Sequence, residues 1–267
     1  MNESLIQYTL HLADSSLILG QRNAEWCGHG PVLEQDIAIT NISLDLIGQA
    51  RNFYQYAAQL INNSKETDSS KAPSPKEREL GGEVTEDTLA YLRKEREFKN
   101  LLLVEQPNGD WAQTILRQFF FSQYQHLLFQ QMQNSKDQQL AAIAEKSLKE
   151  VTYHLRWSSE WVIRLGDGTE ESHTRIRKAI DELWRYTGEM FVAADYEKKI
   201  AIDLNKMKEE WNQKVMIVFR EASLDSPLGG GGAFMQTGGK EGKHTEHLGY
   251  ILTELQYMQR AYPGCEW

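Results

Sequence analysis

Apolar residues recur at helical spacing along almost the entire chain, and few runs alternate with the period of two that is typical of strands. The pattern predicts an all-α fold, with a helix beginning near Thr85 and longer helices over residues 5–29, 32–61, 111–134, 136–165, 172–196, 204–222 and 244–262. Asp110 or Asn108 is the expected N-cap of the helix that starts at Trp111.

The helix predicted over residues 32–61 is apolar on more than one side. One side carries Leu33, Ile37, Leu44 and Ile47. Another side carries Ile39, Ile42, Leu46 and Phe53. Because a helix that is apolar on several sides is usually surrounded by other helices, we expect this one in the middle of a bundle.

Two segments lack the helical periodicity. Residues 62–84 are rich in Ser, Lys, Glu, Pro and Gly, which predicts a polar loop. Residues 225–242 are dense in glycine and predict a flexible connection. These glycines lack the spacing of a phosphate-binding loop, since Lys240 is followed by Glu241 rather than by Ser or Thr. We therefore expect a single helical domain over residues 1–267, interrupted by these two loops.

The composition excludes several classes of function. The formal net charge of −9 argues against a nucleic-acid partner, which would require a basic face. The two cysteines, Cys27 and Cys265, indicate reduced thiols rather than a disulfide framework. The N-terminus does not have the pattern of a signal peptide, and no apolar run is long enough to cross a bilayer. The composition predicts a cytoplasmic protein with no membrane partner.

Glu150 and His154 lie one helical turn apart and almost form a bundle metal site. Di-iron carboxylate bundles need a Glu-x-x-His motif on each of two helices. Val151 stands where the motif requires Glu, and the other candidate helix has Leu46 and Gln49 at the corresponding positions. The spacing indicates a metalloenzyme fold with an incomplete ligand set. Alone, a pair spaced like Glu150 and His154 is more often a surface hydrogen bond or a buried ion pair.

Other acids and histidines are weaker candidates. Four acids lie on the first two predicted helices or their junction: Glu25, Glu34, Asp36 and Asp45. If buried, they need partners, and the arginines available to neutralise them are Arg22, Arg51, Arg117 and Arg156. Near the C-terminus, His244 and His247 flank Glu246, which is a weak signal for an adventitious divalent ion. Helix capping or packing is the commoner role for such histidines.

Five stretches that span most of the chain resemble the C subunits of multicomponent phenylacetyl-CoA 1,2-epoxidases, the PaaC family: GQRNAEWCGH, SLDLIGQARNFYQYA, NLLLVEQPNGDWAQTILRQFF, KEVTYHLRWSSEW and KHTEHLGYILTELQYMQRAYPG. The resemblance implies a ferritin-like four-helix bundle core with additional helices. It also implies membership of an NADPH- and O₂-dependent monooxygenase complex of aerobic phenylacetate breakdown, with no enzymatic activity of its own.

In that complex, a homologous A subunit is expected to carry the di-iron centre and to bind the thioester. A separate reductase with flavin and iron–sulfur cofactors is expected to supply the electrons. The resemblance therefore implies that this chain binds no cofactor and acts as a structural partner of the catalytic A subunit. Contacts with further subunits, and self-association within a hetero-oligomer, are implied as well.

The resemblance also assigns positions to the incomplete ligand set. Glu25 falls where a first-helix carboxylate ligand is expected. Leu46 and Gln49 replace Glu and His on the second helix, and Val151 replaces Glu on a later helix that keeps His154. Since Leu, Gln and Val supply no negative charge to balance two iron ions, the resemblance implies no metal-binding or catalytic residue in this chain.

Without a metal, Glu25, Asp45 and His154 are expected to form a hydrogen-bonded polar knot in the bundle core. The main alternative is a metal-binding ferritin-like oxygenase that uses Glu25, Asp45, Glu150 and His154, with Glu34 as a further candidate. A helical adaptor without any link to an oxygenase is the third hypothesis.

Overall fold

The computed structural model describes residues 2–67, 83–200, 202–227 and 234–265, and within these ranges every regular element is helical. The α-helices are α1 (Asn2–Ala24), α2 (Leu33–Thr67), α3 (Glu86–Tyr91), α4 (Leu102–Glu105), α5 (Trp111–Met132), α6 (Gln138–Gly166), α7 (Glu170–Leu183), α8 (Leu204–Glu221), α9 (Glu246–Leu255) and α10 (Tyr257–Ala261). The predicted all-α fold class is confirmed. Of the helices in these ranges, none combines the length and the apolar character that crossing a membrane requires.

The four longest helices, α1, α2, α5 and α6, form the ferritin-like bundle, and their buried apolar residues belong to one continuous core. Helix α5 is buried over most of its length because the other helices surround it. Helices α1 and α2 approach each other closely at Gly20, whose carbonyl accepts a hydrogen bond of 2.6 Å from Ser43 Oγ. A Cβ atom on Gly20 would lie 3.1 Å from Ile47 Cγ1, so a larger residue there would require Ile47 to move by a few tenths of an ångström.

The two apolar sides of α2 have different environments. One side is completely buried in the core: Ile39, Ile42, Leu46 and Phe53. The other side is exposed: Leu33, Ile37, Leu44 and Ile47. The prediction that α2 lies in the middle of the bundle is therefore wrong for its outer side, because the described helices pack against only part of its circumference.

Side-chain caps begin several helices. The Asp110 carboxylate accepts a hydrogen bond of 3.1 Å from the Gln113 backbone N–H, so Asp110 rather than Asn108 caps α5. Thr85 and Thr88 form a capping box at the start of α3. Both caps satisfy N–H groups that have no partner within the helix. The predicted helix starts at these two places are confirmed.

Several predicted boundaries are wrong by a turn or more. Helix α1 ends at Ala24 instead of near residue 29, because hydrogen-bonded turns follow and Gly28 has a φ of +80°. Helix α2 continues to Thr67, so the predicted loop 62–84 begins later, and its residues 68–82 lie outside the described residues. The helix predicted over 172–196 is α7 followed by short 3₁₀ turns, and the helix predicted over 244–262 is divided between α9 and α10 at Gln256.

The glycine-rich segment is anchored where the structure describes it, which corrects the prediction of a flexible connection for residues 234–242. The backbone N–H groups of Gly238 and Gly239 each donate a 2.7 Å hydrogen bond to Glu189 Oε1. A Cβ atom on Gly239 would lie 2.3 Å from the carbonyl oxygen of Asn100, so only glycine fits there. Next to it, the buried Lys240 ammonium lies 2.9 Å from Glu197 Oε2. Residues 228–233 of the predicted loop lie outside the described residues.

A buried ion pair between Arg93 and Asp14 holds the segment between α3 and α4 against the bundle. Both oxygens of the buried Asp14 carboxylate face the Arg93 guanidinium. Asp14 also accepts hydrogen bonds of 2.6 Å from the Tyr54 hydroxyl and 2.7 Å from the Lys99 backbone N–H. Although burial disfavours the charged guanidinium, the Asp14 carboxylate raises the pKa of Arg93. This arrangement satisfies both charges inside the protein.

We predict that Asp14→Ala lowers the free energy of unfolding by about 3–5 kcal/mol, because the substitution leaves Arg93 buried without its counter-ion. Urea denaturation followed by circular dichroism measures the change. The matched control is Glu171→Ala, which removes one of the two carboxylate partners of the exposed Arg175 and should leave stability nearly unchanged. Equal effects of the two substitutions would contradict a dominant role for the buried pair.

Candidate functional site

Four of the five positions that the resemblance assigns to the incomplete ligand set lie inside the bundle. Leu46 and Gln49 on α2, and Val151 and His154 on α6, are each at most 1% exposed. The i, i+3 spacing places the two members of each pair on the same side of their helix. The structure therefore brings these positions into the interior, and two of the four are occupied by aliphatic side chains.

Two hydrogen-bonded pairs, the α2–α6 rungs, join these helices. Gln49 Nε2 donates to Glu150 Oε2 at 3.0 Å, and His154 Nε2 lies 3.0 Å from Asp45 Oδ2. Residue numbers rise by four on α6 while they fall by four on α2, which is the pattern of antiparallel helices. In each rung, a buried amide or imidazole meets a carboxylate that is partly open to solvent. The rungs thus keep the negative charge at the edge of the bundle.

Glu150 and His154 do not bind each other, although their spacing would allow it. Each forms its hydrogen bond with α2 instead. The pair is therefore part of the connection between two helices. The sequence identified both residues but not their partners, because pairing across 101 and 109 residues leaves no local signal.

Neutral amides continue the polar interior from α2 towards α5 and α1. Gln125 Nε2 lies 3.3 Å from Gln49 Oε1 and 3.4 Å from Ser16 Oγ. Further along the bundle, Asn23 Nδ2 donates to Gln118 Oε1 at 2.7 Å. All five side chains are buried. Amides and hydroxyls can satisfy one another without charge, so this interior avoids the cost of desolvating ions.

Glu25 lies away from the two rungs. It follows the last residue of α1, and its carboxylate accepts hydrogen bonds from Arg22 Nη1 at 3.0 Å and Asn108 Nδ2 at 2.8 Å. Its side chain is 32% exposed. Among the described residues, no hydrogen bond links Glu25 to Asp45 or His154. The predicted polar knot therefore contains Asp45 and His154 only, while the prediction that an arginine neutralises Glu25 is confirmed for Arg22.

A buried cation, Arg117, lies at the same end of the bundle as Glu25. Its guanidinium donates to the carbonyl oxygen of Gln106 and to Asn108 Oδ1. Burial, together with the nearby Arg22 cation, lowers the pKa of Arg117 to about 9. Because Asn108 contacts Arg117 and Glu25 with opposite ends of its amide, it connects the two charged groups. No pattern in the sequence indicated this link.

The donor set does not fit a di-iron centre. Leu46 and Val151 offer no ligand atom, while Gln49 and His154 each use a donor or ring atom in a rung. Two iron ions require several anionic ligands that converge on one point. Within the residues that the structure describes, no group of three or more His, Cys, Asp or Glu side chains is arranged to hold a metal ion.

The alternative ligand set is not brought together either. Of its four members, Asp45, Glu150 and His154 lie along the rungs, but Glu25 is held beyond the end of α1 by Arg22 and Asn108. Glu34 lies in the exposed first turn of α2. These positions leave the alternative without a common centre for a metal ion.

The weak candidate at His244 is part of a buried ionic contact. His244 Nδ1 lies 2.9 Å from Glu105 Oε2, and Nε2 lies 3.0 Å from the carbonyl oxygen of Phe98. Burial lowers the pKa of His244, but the hydrogen bond and charge of Glu105 outweigh it, so the pKa is raised. Both ring nitrogens of His244 therefore face hydrogen-bond acceptors within the chain, which leaves neither free to bind a metal. The half-buried His247 lies in the first turn of α9, and the structure assigns it no ligand role.

Known proteins match this chain over its full length. The model of the family PaaA_PaaC, described as phenylacetic acid catabolic protein, matches residues 1–267. The chain is 47% identical to the C subunit of the 1,2-phenylacetyl-CoA epoxidase of Escherichia coli (strain K12) over 272 aligned residues. The alignment covers 100% of both chains. The resemblance found in the sequence motifs is therefore confirmed.

We predict that Leu46→Glu lowers the free energy of unfolding by about 3 kcal/mol or more, because it buries a carboxylate without a partner cation. The control, Leu44→Glu, places the same charge at a position that is 61% exposed and should change stability little in the isolated chain. Urea titrations with and without added Fe²⁺ measure both variants. Recovery of the Leu46→Glu variant by iron would reveal a metal site and contradict the prediction of an unpaired buried charge.

We predict that the His244–Glu105 contact stabilises the protein below pH 6.5 and that this contribution declines as the pH rises through the folded-state pKa of His244. The sign follows from the raised pKa, because the folded protein holds this proton more tightly than the unfolded chain, whose histidine pKa is about 6.5. Urea denaturation of the wild type and His244→Gln across this range isolates the contribution. A stability difference between the two proteins that stays constant or grows with pH would contradict the prediction.

Proposed function

The chain belongs to the family of phenylacetic acid catabolic proteins, and on this premise we propose that it is a non-catalytic structural subunit of a multicomponent phenylacetyl-CoA epoxidase. In this proposal it pairs with a homologous, catalytic A subunit, which carries the di-iron centre, and it stabilises that partner. The assembled NADPH- and O₂-dependent complex works in the cytoplasm, receives electrons through a flavin and iron–sulfur reductase, and serves aerobic phenylacetate breakdown.

One observation carries the proposal: the positions that would hold iron are filled by hydrocarbon and by neutral or internally paired groups. Leu46 and Val151 are completely buried and provide no ligand atom. Gln49 supplies an amide where a basic, metal-binding side chain would be needed. These side chains support a bundle that keeps its shape without metal, which suits a component that contributes surface rather than chemistry.

The rungs supply the connection that a metal centre would otherwise make. In a di-iron protein, the ions cross-link the helices that carry their ligands. Here Gln49–Glu150 and Asp45–His154 join α2 and α6 directly, at 3.0 Å each. Because both contacts lie within the chain, the positions of these helices do not depend on metal supply. A partner would therefore meet a preformed surface.

We expect the chain purified alone from iron-replete cells to contain far less than one iron per molecule, measured by inductively coupled plasma mass spectrometry. The A subunit prepared in parallel is the positive control and should contain about two irons per chain, as di-iron proteins of this fold do. About two irons per molecule of this chain, with the absorption spectrum of an oxo-bridged pair, would contradict the proposal.

A second experiment measures turnover of the assembled complex with a variant of this chain. His154→Gln keeps a hydrogen-bonding side chain in the rung while removing the imidazole. Turnover per assembled complex should remain near that of the wild type, with assembly checked by size-exclusion chromatography. Loss of turnover in a fully assembled complex would instead favour the alternative hypothesis, in which His154 serves an oxygenase site.

A further inference from the structure

We infer that the bundle interior holds a water-binding site between α5 and α6, in which one water molecule donates its two hydrogens to Gln125 Oε1 and His154 Nδ1. Both atoms are buried and have no hydrogen-bond partner among the described residues. The site lies at the level of the incomplete ligand set, so water takes the place that the resemblance gives to metal. It is built from this chain alone and does not depend on the partner in the proposed function.

The hydrogen bonds that start at the Glu150 carboxylate run in one direction. An ionised carboxylate only accepts, so Gln49 presents Nε2 to Glu150 Oε2, at 3.0 Å. Gln49 Oε1 then faces Gln125, whose Nε2 lies 3.3 Å away. These contacts fix the orientation of the Gln125 amide and turn its Oε1 away from them. The series of bonds therefore ends on an acceptor inside the bundle.

The other rung ends in the same way. His154 Nε2 lies 3.0 Å from Asp45 Oδ2, and because the carboxylate accepts, the ring proton is on Nε2. In a neutral imidazole, a proton on one nitrogen leaves the other nitrogen as an acceptor. His154 is 0% exposed, so its Nδ1 lone pair points into the protein. Each rung thus begins at a carboxylate on the bundle edge and ends on a lone pair in the interior.

The two acceptors lie at neighbouring levels of the bundle. Gln125 is level with Gln49 and Glu150, because its amide contacts Gln49 directly. His154 follows Glu150 by four residues, which is about 6 Å along α6. Helices α5 and α6 pack against each other, so Gln125 and His154 project into the same region. Within the described residues no hydrogen bond joins them, and two acceptors cannot bond without a donor between them.

Water is the ligand that fits two neighbouring acceptors. Its two O–H groups can donate to both lone pairs at once, and two polar partners are enough to hold a buried water. Proteins contain about one buried water per 27 residues, so about ten are expected in a chain of 267 residues. A donor at this place removes the cost of leaving both acceptors buried without a partner.

A metal ion fits the same two atoms poorly. Gln125 Oε1 and a neutral His154 Nδ1 carry no negative charge, and the Asp45 and Glu150 carboxylates already bind within their rungs. An ion between the two acceptors would therefore remain unbalanced in the interior, where desolvating a charge is costly. Water brings no charge and satisfies the same lone pairs.

The water site completes a set of links at one level of the bundle. In a di-iron protein, the ions join helices that each supply ligands. In this chain the rungs join α6 to α2, the Gln49–Gln125 contact joins α2 to α5, and the water joins α5 back to α6. Three helices are thus connected in a ring that contains no metal.

A crystal structure of the full chain at about 1.2 Å resolution tests the site directly. We expect an electron-density peak within hydrogen-bond distance of both Gln125 Oε1 and His154 Nδ1, without anomalous signal at the iron or zinc absorption edge. A peak with such a signal, or direct contact between the two side chains in place of a peak, would overturn the inference. The A subunit is not used, so its failure to bind, which would overturn the proposed function, leaves this result unaffected.

Nitrogen NMR of the His154 ring gives an independent readout in solution. In the chain labelled with ¹⁵N-histidine, we expect the tautomer with its proton on Nε2 and an Nδ1 resonance shifted by an accepted hydrogen bond. Comparison with His154→Gln identifies these signals among those of the seven histidines. An imidazolium, or an Nδ1 resonance typical of a lone pair that accepts no hydrogen bond, would contradict the inference.

Gln125→Leu tests whether water connects the two residues. The variant leaves the water a single acceptor, so we expect its loss and a shift of the His154 Nδ1 resonance towards that of a free lone pair. The matched control, Gln118→Leu, removes an equally buried amide two turns away on α5 and should leave the His154 signals unchanged. Circular dichroism verifies that both variants keep their helical content. His154 signals that are the same in Gln125→Leu and the wild type would count against the bridge.

Discussion

A polar group that is removed from water inside a helical bundle must find a partner there, and this requirement organises the centre of the molecule. The two rungs between α2 and α6 pair Gln49 Nε2 and His154 Nε2 with carboxylates at the bundle edge, while His154 Nδ1 has no hydrogen-bond partner among the described residues. The edge position lets the acids keep part of their hydration, so their desolvation cost stays small. Around the rungs, Gln125, Ser16, Asn23 and Gln118 continue the interior with uncharged groups.

Buried ionisable side chains are paired at the junctions between the bundle and its connecting segments. Asp14 holds the chain near Arg93, Glu105 holds His244, and Glu197 holds Lys240. Glu189 accepts backbone N–H groups from two distant segments, at Leu102 and at Gly238. Removing one partner of such a contact leaves a charge uncompensated, so these junctions specify strongly where each connection lies. The buried side chains around the rungs are uncharged amides and hydroxyls, whereas buried ion pairs hold the connecting segments against the bundle.

Features that depend on local pattern could be predicted from the sequence. The helical period indicated the fold class, Asp110 and Thr85 marked helix starts, and the missing Glu and His residues marked the incomplete ligand set. Features that depend on contacts between residues far apart in the sequence could not be predicted in this way. The anchoring of Gly238 by Glu189 spans 49 residues, and the separation of Glu25 from His154 follows from its contacts with Arg22 and Asn108. Hydrophobic pattern alone also could not tell which apolar side of α2 the bundle covers.

The contact between Glu105 and His244 joins residues 139 positions apart, and this has a consequence for biosynthesis. Until residues 244 and 245 have left the ribosome, Glu105 lacks His244 and the two hydrogen bonds from Thr245. The α4 region then cannot bury its carboxylate, whereas the bundle helices up to α6 have already emerged. The order of synthesis therefore separates formation of the α2–α6 rungs from closure of the contact between Glu105 and His244. A nascent chain can therefore form the rungs before the contact between Glu105 and His244 is possible.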